Sequence, residues 1–417
     1  MKVAYFSPLP PEPSGVADYS AHLLPALERR IEVKVARRGA HRSPRRCDLA
    51  LYHVGNNADA HGWIVEALRR RPGLVVLHDV VLHHLVAEMT IGQGDNDGYL
   101  EAMQVEGGVV GRLLAHGVID GLLPPFWAER PEDFPLTMAV VGPATGIIVH
   151  SQYALDRLRQ LGFERRIWRI PMPAWPVSAP EPPPAGEKLV IGCFGHMNTA
   201  KRVPQLLEAF AALRRGLPEA RLVLAGSASP ALEVEGTIAR LSLEEAVTRR
   251  GYLDEPELWR LIGEADIIVN LRSPTMGETS GMVVRALSLG KPLVVSDVGW
   301  FAELPDEVAA KVPVDEREVE RLKGVLARLA GDSALRAKMS AAAAGFARTE
   351  HDLERVADLY LAAIEEAAGT DDVEHAVLHD VARAAAETGM GPDAAELGEV
   401  AARLREAGLG RGRSRAS

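Results

Sequence analysis

The apolar positions fall into two alternating series. In the first half, VAYF (3–6), IEVKVA (31–36), CDLALYHV (47–54), LVVLHD (74–79) and GIIVHS (146–151) have the length and β-branched content of strands. Segments with helical spacing separate most of them, such as ADYSAHLLPALERR (17–30). Strands alternating with helices predict an α/β fold, a parallel sheet covered on both faces. Residues 91–140 are less regular and are expected to be helices and loops inserted ahead of the GIIVHS strand. A second series follows, with KLVIGCFG (188–195), ARLVLAG (220–226), VTRRGYL (247–253), DIIVN (266–270) and PLVVSD (292–297) as strands. VPQLLEAFAALRRG (203–216) is a helix between the first two. Two such units make a cleft, with ligands expected at the carboxyl ends of the strands.

The joints follow from the same pattern. Residues 1–170 form one expected domain and residues 188–350 a second. Between them, residues 171–187 are too rich in proline for a regular element and predict a linker. Beyond about 316 the apolar spacing is helical throughout, with a closing helix at 351–369 and a helical hairpin at 370–410. Residues 411–417, RGRSRAS, are expected to be disordered.

Composition narrows the class. A chain of 417 residues exceeds what one core serves. A net charge of −10 argues against a general nucleic-acid binder. The basic stretch 28–46 is either a solvated face or a contact for an anionic acceptor or a membrane surface. Cys47 and Cys193 fall in different expected domains, which predicts no disulfide and suits a reducing cytoplasm. The first residues lack the apolar run of a signal peptide, and no stretch stays apolar for about 18–20 residues. The expected location is therefore cytoplasmic, with peripheral contact to the inner face of the membrane through 28–46 as an option.

Candidate chemistry gathers at the strand ends. Gly15 stands in the loop after the first strand, where a glycine lets backbone approach a ligand beside a helix N-terminus. The GxGxxG fingerprint is absent from both halves, which argues against a nicotinamide-dependent oxidoreductase. In FGHMNTAKR (194–202), Gly195 turns the chain and Lys201 and Arg202 place two cations at a helix start, suited to a diphosphate. In GETSGMVVRALSLGKP (277–292), Gly277 and Gly281 free the backbone, and Thr279 and Ser280 offer hydroxyls and an N-cap. Glu278 is the loop's one acid; Arg285 is the one charge on an otherwise apolar helix. In the first half Asn56, Asn57, His61, His78, Asp79, His83 and His84 lie at two strand ends, where such groups bind hydroxyls or move protons. His61 and His78 are the functional candidates; His83 and His84 read as structural or surface residues. Their spacing matches no strong metal motif, so no metal is expected. The D-x-D triplet Asp95-Asn96-Asp97 reads as plain loop.

The segments FGHMNTAKRVPQLLEAFAAL, PEARLVLAGS, VTRRGYLDEPELWRLIGEADIIVN and GETSGMVVRALSLGKPLVVSD occur in an order and spacing that resemble the family 4 nucleotide-sugar glycosyltransferases. The resemblance runs over roughly residues 1–366 and is loosest at 85–140. It implies the GT-B fold, two Rossmann-like domains facing across a cleft, with a C-terminal helical extension lying outside it. It also implies a retaining, metal-independent transfer of a sugar from a nucleoside-diphosphate sugar to a hydroxyl-bearing acceptor (a glycan, a glycolipid or a small metabolite). No cofactor is required.

By that resemblance Lys201 matches the lysine that contacts the donor diphosphate, and His196 stands where the family carries an arginine. The family's two glutamates, with seven residues between them, fall on Gly277 and Arg285, and Glu278 is next to the first. A carboxylate accepts hydrogen bonds from ribose hydroxyls, whereas a guanidinium only donates. Arg285 must therefore serve differently, against a phosphate, Glu278 or ribose oxygens. The implied donor set is Gly15, Gly195, His196, Lys201, Arg202, Tyr252, Gly277, Glu278, Thr279, Ser280, Gly281, Met282 and Arg285. Glu278, His78 and Lys201 are the implied catalytic residues, and Asp18, Asn56 and His61 would meet the acceptor. The alternative is a non-catalytic sugar-nucleotide or glycan-binding protein that kept the fold.

Overall fold

All the apolar runs of the two series become strands. The structure, a computed structural model, describes residues 1–12, 14–39, 47–175, 188–229, 232–369, 381, 384–385 and 395–406. The linker beyond 175, the end of the basic stretch 28–46, most of 370–410 and the tail 411–417 lie outside the described residues. Within 370–410 one helix, Ala395–Glu406, is described. Among the described residues, no helix is long and apolar enough to cross a membrane.

The first sheet holds β1 (Lys2–Phe6), β2 (Glu32–Val35), β3 (Leu49–Val54), β4 (Leu74–Leu77), β5 (Gly146–Val149) and β6 (Ile167–Arg169). The second holds β7 (Val190–Phe194), β8 (Arg221–Ala225), β9 (Val247–Arg250), β10 (Ile267–Asn270), β11 (Leu293–Ser296) and β12 (Ala309–Val312). The strand orders are β2-β1-β3-β4-β5-β6 and β12-β11-β10-β7-β8-β9, and every pairing is parallel. Every residue of β3, β4, β5, β10 and β11 is buried. Helices on both faces leave such strands no polar side, so their sequences run apolar without alternation. The second core packs Leu207 and Phe210 from the helix Val203–Arg214 against Ile191, Leu222 and Ile267 of the sheet.

The chain divides into two units, but not at a single cut. Unit one is Met1–Val149, Arg157–Arg169 and Leu359 onward; unit two is His150–Asp156 and Ile170–Asp358. Hydrogen bonds explain both exchanges. Gln152 N and Tyr153 N donate to the Glu303 carboxylate at 3.0 and 2.6 Å, and His150 Nδ1 donates to the Ile170 carbonyl at 2.8 Å. These hold 150–156 in unit two. In unit one the Tyr360 hydroxyl meets the Tyr19 hydroxyl at 2.6 Å, and Trp168 Nε1 donates to Glu366 at 2.9 Å. The helix Leu353–Gly369, expected only as a closing element, is thereby tied from Leu359 on into the first unit.

Candidate functional site

Each sheet has one place where the chain reverses its direction of strand addition: between β1 and β3 in unit one, and between β7 and β10 in unit two. Helices leaving two such strands pass to opposite faces, which opens a crevice at the carboxyl ends. Some of the predicted residues lie at these two places and others do not.

In unit two, β7 ends at Phe194 and Gly195 follows with φ +99, a backbone that side chains rarely adopt. A Cβ on Gly195 would lie 3.5 Å from Met282 Cγ and 3.8 Å from Lys201 Nζ. Gly195 thus lets the lysine and the first turn of the helix Gly281–Ser288 converge. Ser280 caps that helix, its Oγ accepting from Val283 N at 3.4 Å. Lys201 is only 7% exposed. Among the described residues its ammonium has no hydrogen-bond partner. Burial first, and then the charge of Arg272, push its pKa down to about 7; Cys193 and Glu278 act more weakly the other way. The Thr279 hydroxyl and the Asn198 and Asn270 side-chain carbonyls are also buried without a partner among the described residues. Buried polar groups are normally satisfied.

Glu278 is held on both oxygens. Its Oε2 accepts from Thr275 Oγ1 at 3.0 Å and from Met276 N at 2.8 Å, while Oε1 lies 2.5 Å from Arg272 Nε. Gly277, with φ +76, turns the loop that makes these contacts. Arg272 was not among the residues singled out from the sequence. Its signal is there in NLRSP, an arginine directly after an apolar strand end and six residues ahead of the acid.

Several expected donor residues stand elsewhere. Arg202, read as a diphosphate cation beside Lys201, turns to Glu318. It adopts φ +54, and its Nε is 3.1 Å from Glu318 Oε2, with Nη2 closer still. Glu318 is 2% exposed, and a buried carboxylate requires its cation. His196 Nδ1 pairs with Ser227 Oγ at 2.9 Å. Tyr252 is 80% exposed. Arg285 does not pair with Glu278, whose cation is Arg272. It is buried, its guanidinium carbon 3.9 Å from the Trp175 ring centre and 5.9 Å from that of Trp259, with Glu255 Oε1 at 4.0 Å. That is a stacked cation, which an arginine but no carboxylate can be. A Cβ on Gly281 would sit 3.4 Å from Arg285 Nη1.

In unit one, the Gly15 helix begins after β1 with Ser14 as cap, its Oγ accepting from Val16 N at 3.2 Å. A Cβ on Gly15 would meet nothing within 4 Å, so the loop has room. Asp18 is on the exposed side of the first turn. His78 follows β4 and is buried, its Nε2 3.0 Å from His53 Nδ1 and its ring edge-on to Tyr19 at 4.9 Å. His53, fully buried, joins this cluster unforeseen. His61 donates Nδ1–H to the His53 carbonyl at 3.0 Å, and burial lowers its pKa to about 4, so it is neutral at pH 7. Asn56 is engaged on both sides: its N donates to Asp79 Oδ2 at 2.8 Å and its Oδ1 accepts from Leu85 N at 2.9 Å. His83 is structural, bridging the Phe134 carbonyl and the Tyr99 hydroxyl at 2.6 and 2.9 Å. Asp95 is a helix cap, accepting from Gly98 N at 2.9 Å.

Comparison with known proteins bears on the fold of the chain and on the sequence of its second half. Residues 178–346 match the family model of the group 1 glycosyl transferases. The matched segment contains Lys201, Arg272, Glu278 and the Gly281 helix. Sucrose-phosphate synthase from Thermosynechococcus elongatus superposes with a TM-score of 0.62 at 16% identity, covering 88% of this chain and 98% of that one. Anabaena HepE in complex with UDP-glucose gives 0.60 at 16% identity, over 88% and 100%. WaaG, a glycosyltransferase involved in lipopolysaccharide biosynthesis, gives 0.56 at 14% identity, over 89% and 100%. The fold is GT-B, two Rossmann-like sheets with C-terminal helices. No curated protein matches the sequence.

Proposed function

We propose that the chain is a nucleotide-sugar glycosyltransferase whose donor binds at the reversal point of unit two. The observation that carries this is Lys201: a buried ammonium with no partner among the described residues, beside a helix N-terminus, inside the segment that matches the group 1 glycosyl transferases. A diphosphate supplies the anion such a site lacks, and the helix dipole favours it. HepE, of similar fold, binds UDP-glucose.

In this reading the bond from the anomeric carbon to the diphosphate breaks through an oxocarbenium-like transition state. Negative charge grows on the leaving phosphate. Lys201 and the N–H groups of the first turn of the Gly281 helix stabilise it, each preorganised donor contributing about 3–4 kcal/mol. Glu278 orients the sugar hydroxyls. Transfer is with retention and needs no metal. Unit one binds the hydroxyl-bearing acceptor near Asp18, Asn56 and His61, and contributes His78 as a catalytic residue.

The test is transfer or hydrolysis of a panel of UDP-, GDP- and ADP-sugars. Lys201→Ala and Glu278→Ala should each remove most of the activity; retention by both would show the site to be misplaced. A second reading, a binding protein without turnover, is favoured by the ion-paired state of Glu278. Nucleotide binding by calorimetry with no donor consumed would select it.

A further inference from the structure

Two cations and one acid converge in the unit two site, and the pairing among them is uneven. Arg272 lies against Glu278 at 2.5 Å, while Lys201 has no partner among the described residues. Yet the Arg272–Glu278 contact is not a finished one. Arg272 Nε is buried and makes no hydrogen bond, so its N–H is misaligned with the carboxylate it touches. Glu278, for its part, has Thr275 and Met276 to hold it without the arginine. The main chain of Arg272 is fixed by its N–H donating to Ser296 Oγ at 2.9 Å, and its guanidinium carbon is a loose 5.9 Å from the Phe301 ring centre. A long side chain on an anchored base can swing without moving the fold.

The other nearby arginines are committed. Arg202 serves Glu318, and Arg285 stacks on Trp175. A diphosphate bearing two or more charges would otherwise meet only Lys201. A planar guanidinium is the group best matched to phosphate oxygens, through paired N–H donors.

We propose that Arg272 is a second phosphate-binding cation of this site, exchanged from Glu278 onto the donor diphosphate when nucleotide binds. The exchange also frees Oε1 of Glu278 for a sugar hydroxyl, so one movement prepares both ends of the scissile bond. This rests on the reading of unit two as the donor domain.

The charges facing Lys201 give the proposal a distinctive readout. They are Arg272 after β10, the Cys193 thiol on β7 and Glu278 in the loop. Arg272 holds the Lys201 pKa down; Glu278 and Cys193 act to raise it. Only protonated Lys201 attracts phosphate, so affinity in the wild type should fall as pH rises past about 7. Removing Arg272 takes away its repulsion and unmasks Glu278. Both changes raise the Lys201 pKa, so the fall must move to higher pH.

The experiment is calorimetric titration of UDP, GDP and ADP between pH 6.5 and 9 into the wild type, Arg272→Gln and Arg272→Lys. At pH 6.5 Arg272→Gln should bind at least about tenfold more weakly, the loss of one charged hydrogen-bonding partner, with its pH midpoint moved up. Arg272→Lys keeps a charge for Glu278 but not the fork. It should bind several-fold more weakly with the midpoint in place, and it decides the matter if the glutamine variant does not fold. A wild type that binds none of the three nucleotides defeats the donor reading itself, and the inference with it. A wild type that binds, with variants of equal affinity or with the Arg272→Gln midpoint unmoved, defeats the inference alone.

Discussion

Lys201 shows how a buried cation works against the fold that holds it. Its pKa is about 7 in the folded chain, against 10.5 for a lysine in water. Between those values the unfolded chain binds more protons, so stability rises with pH across the window from about 7 to 10.5 and the penalty is full below it. Lys201→Met removes the charge and keeps an unbranched apolar stem. It should raise stability at pH 6 by roughly 1–4 kcal/mol, as when a buried charge gives way to packing, while abolishing nucleotide binding. Thermal melts at pH 6 that show no gain would sink the argument. Loop position and residue type single out Lys201 and Glu278 in the sequence, and in the structure the Glu278 charge acts on Lys201. Arg202 misled because adjacency to Lys201 says nothing of direction. A left-handed backbone turned it to Glu318, 116 residues away. Arg272 was not singled out because its nearness to Lys201 depends on β10 lying beside β7, a neighbour relation absent from local pattern.

At the scale of elements, the site depends on how closely the ends of β7 and β8 pass. Gly195 N donates to the Ala225 carbonyl at 2.9 Å, and Gly226 N to the Arg250 carbonyl at 3.1 Å. A Cβ at Gly226 would fall 2.2 Å from the Gly195 carbonyl oxygen, on a backbone with φ +134. All the atoms it would meet are backbone of Gly195, which leaves no flexible side chain to give way. Gly226→Ala should therefore cost about 1–3 kcal/mol in strain and push Gly195 off Lys201, weakening nucleotide binding at least tenfold. An alanine variant that melts and binds as the wild type would show the crossing to be unimportant. Most strands were readable from their apolar runs, but β6 and β12 were not. Ile167–Arg169 has three residues, two of them not apolar aliphatics, and AAKV (309–312) offers one β-branched residue. Both are edge strands, which need only one partner and so show little of the pattern of a central strand. The exchange of 150–156 and 359 onward between the units was equally unreadable, because it rests on contacts such as Glu303 with Tyr153 across 150 residues.

For the whole molecule, buried histidines set the response to acid. His61 and His83 lie in unit one, His150 and His351 in unit two. Each is nearly inaccessible and points Nδ1 at a backbone carbonyl, of His53, Phe134, Ile170 and Met172 respectively. Burial dominates in all four, lowering the first three to about 4 and His351 in the same direction. In the unfolded chain such groups protonate near 6.5. Between about pH 6.5 and 4 the unfolded chain therefore binds more protons, and stability falls as pH falls. Each fully shifted histidine contributes up to about 3 kcal/mol, comparable in sum to the whole stability of a domain. General charge repulsion predicts the reverse, because the net charge of −10 at pH 7 shrinks as acid is added. We expect the melting temperature to drop steeply below pH 6. Since each unit carries two of these residues, calorimetry should show every transition moving in that window. A melting temperature constant to pH 5 would mean that the buried rings are protonated without penalty. If only one transition moves, the histidines of the other unit must gain acceptor or anionic partners that offset the burial of their charge.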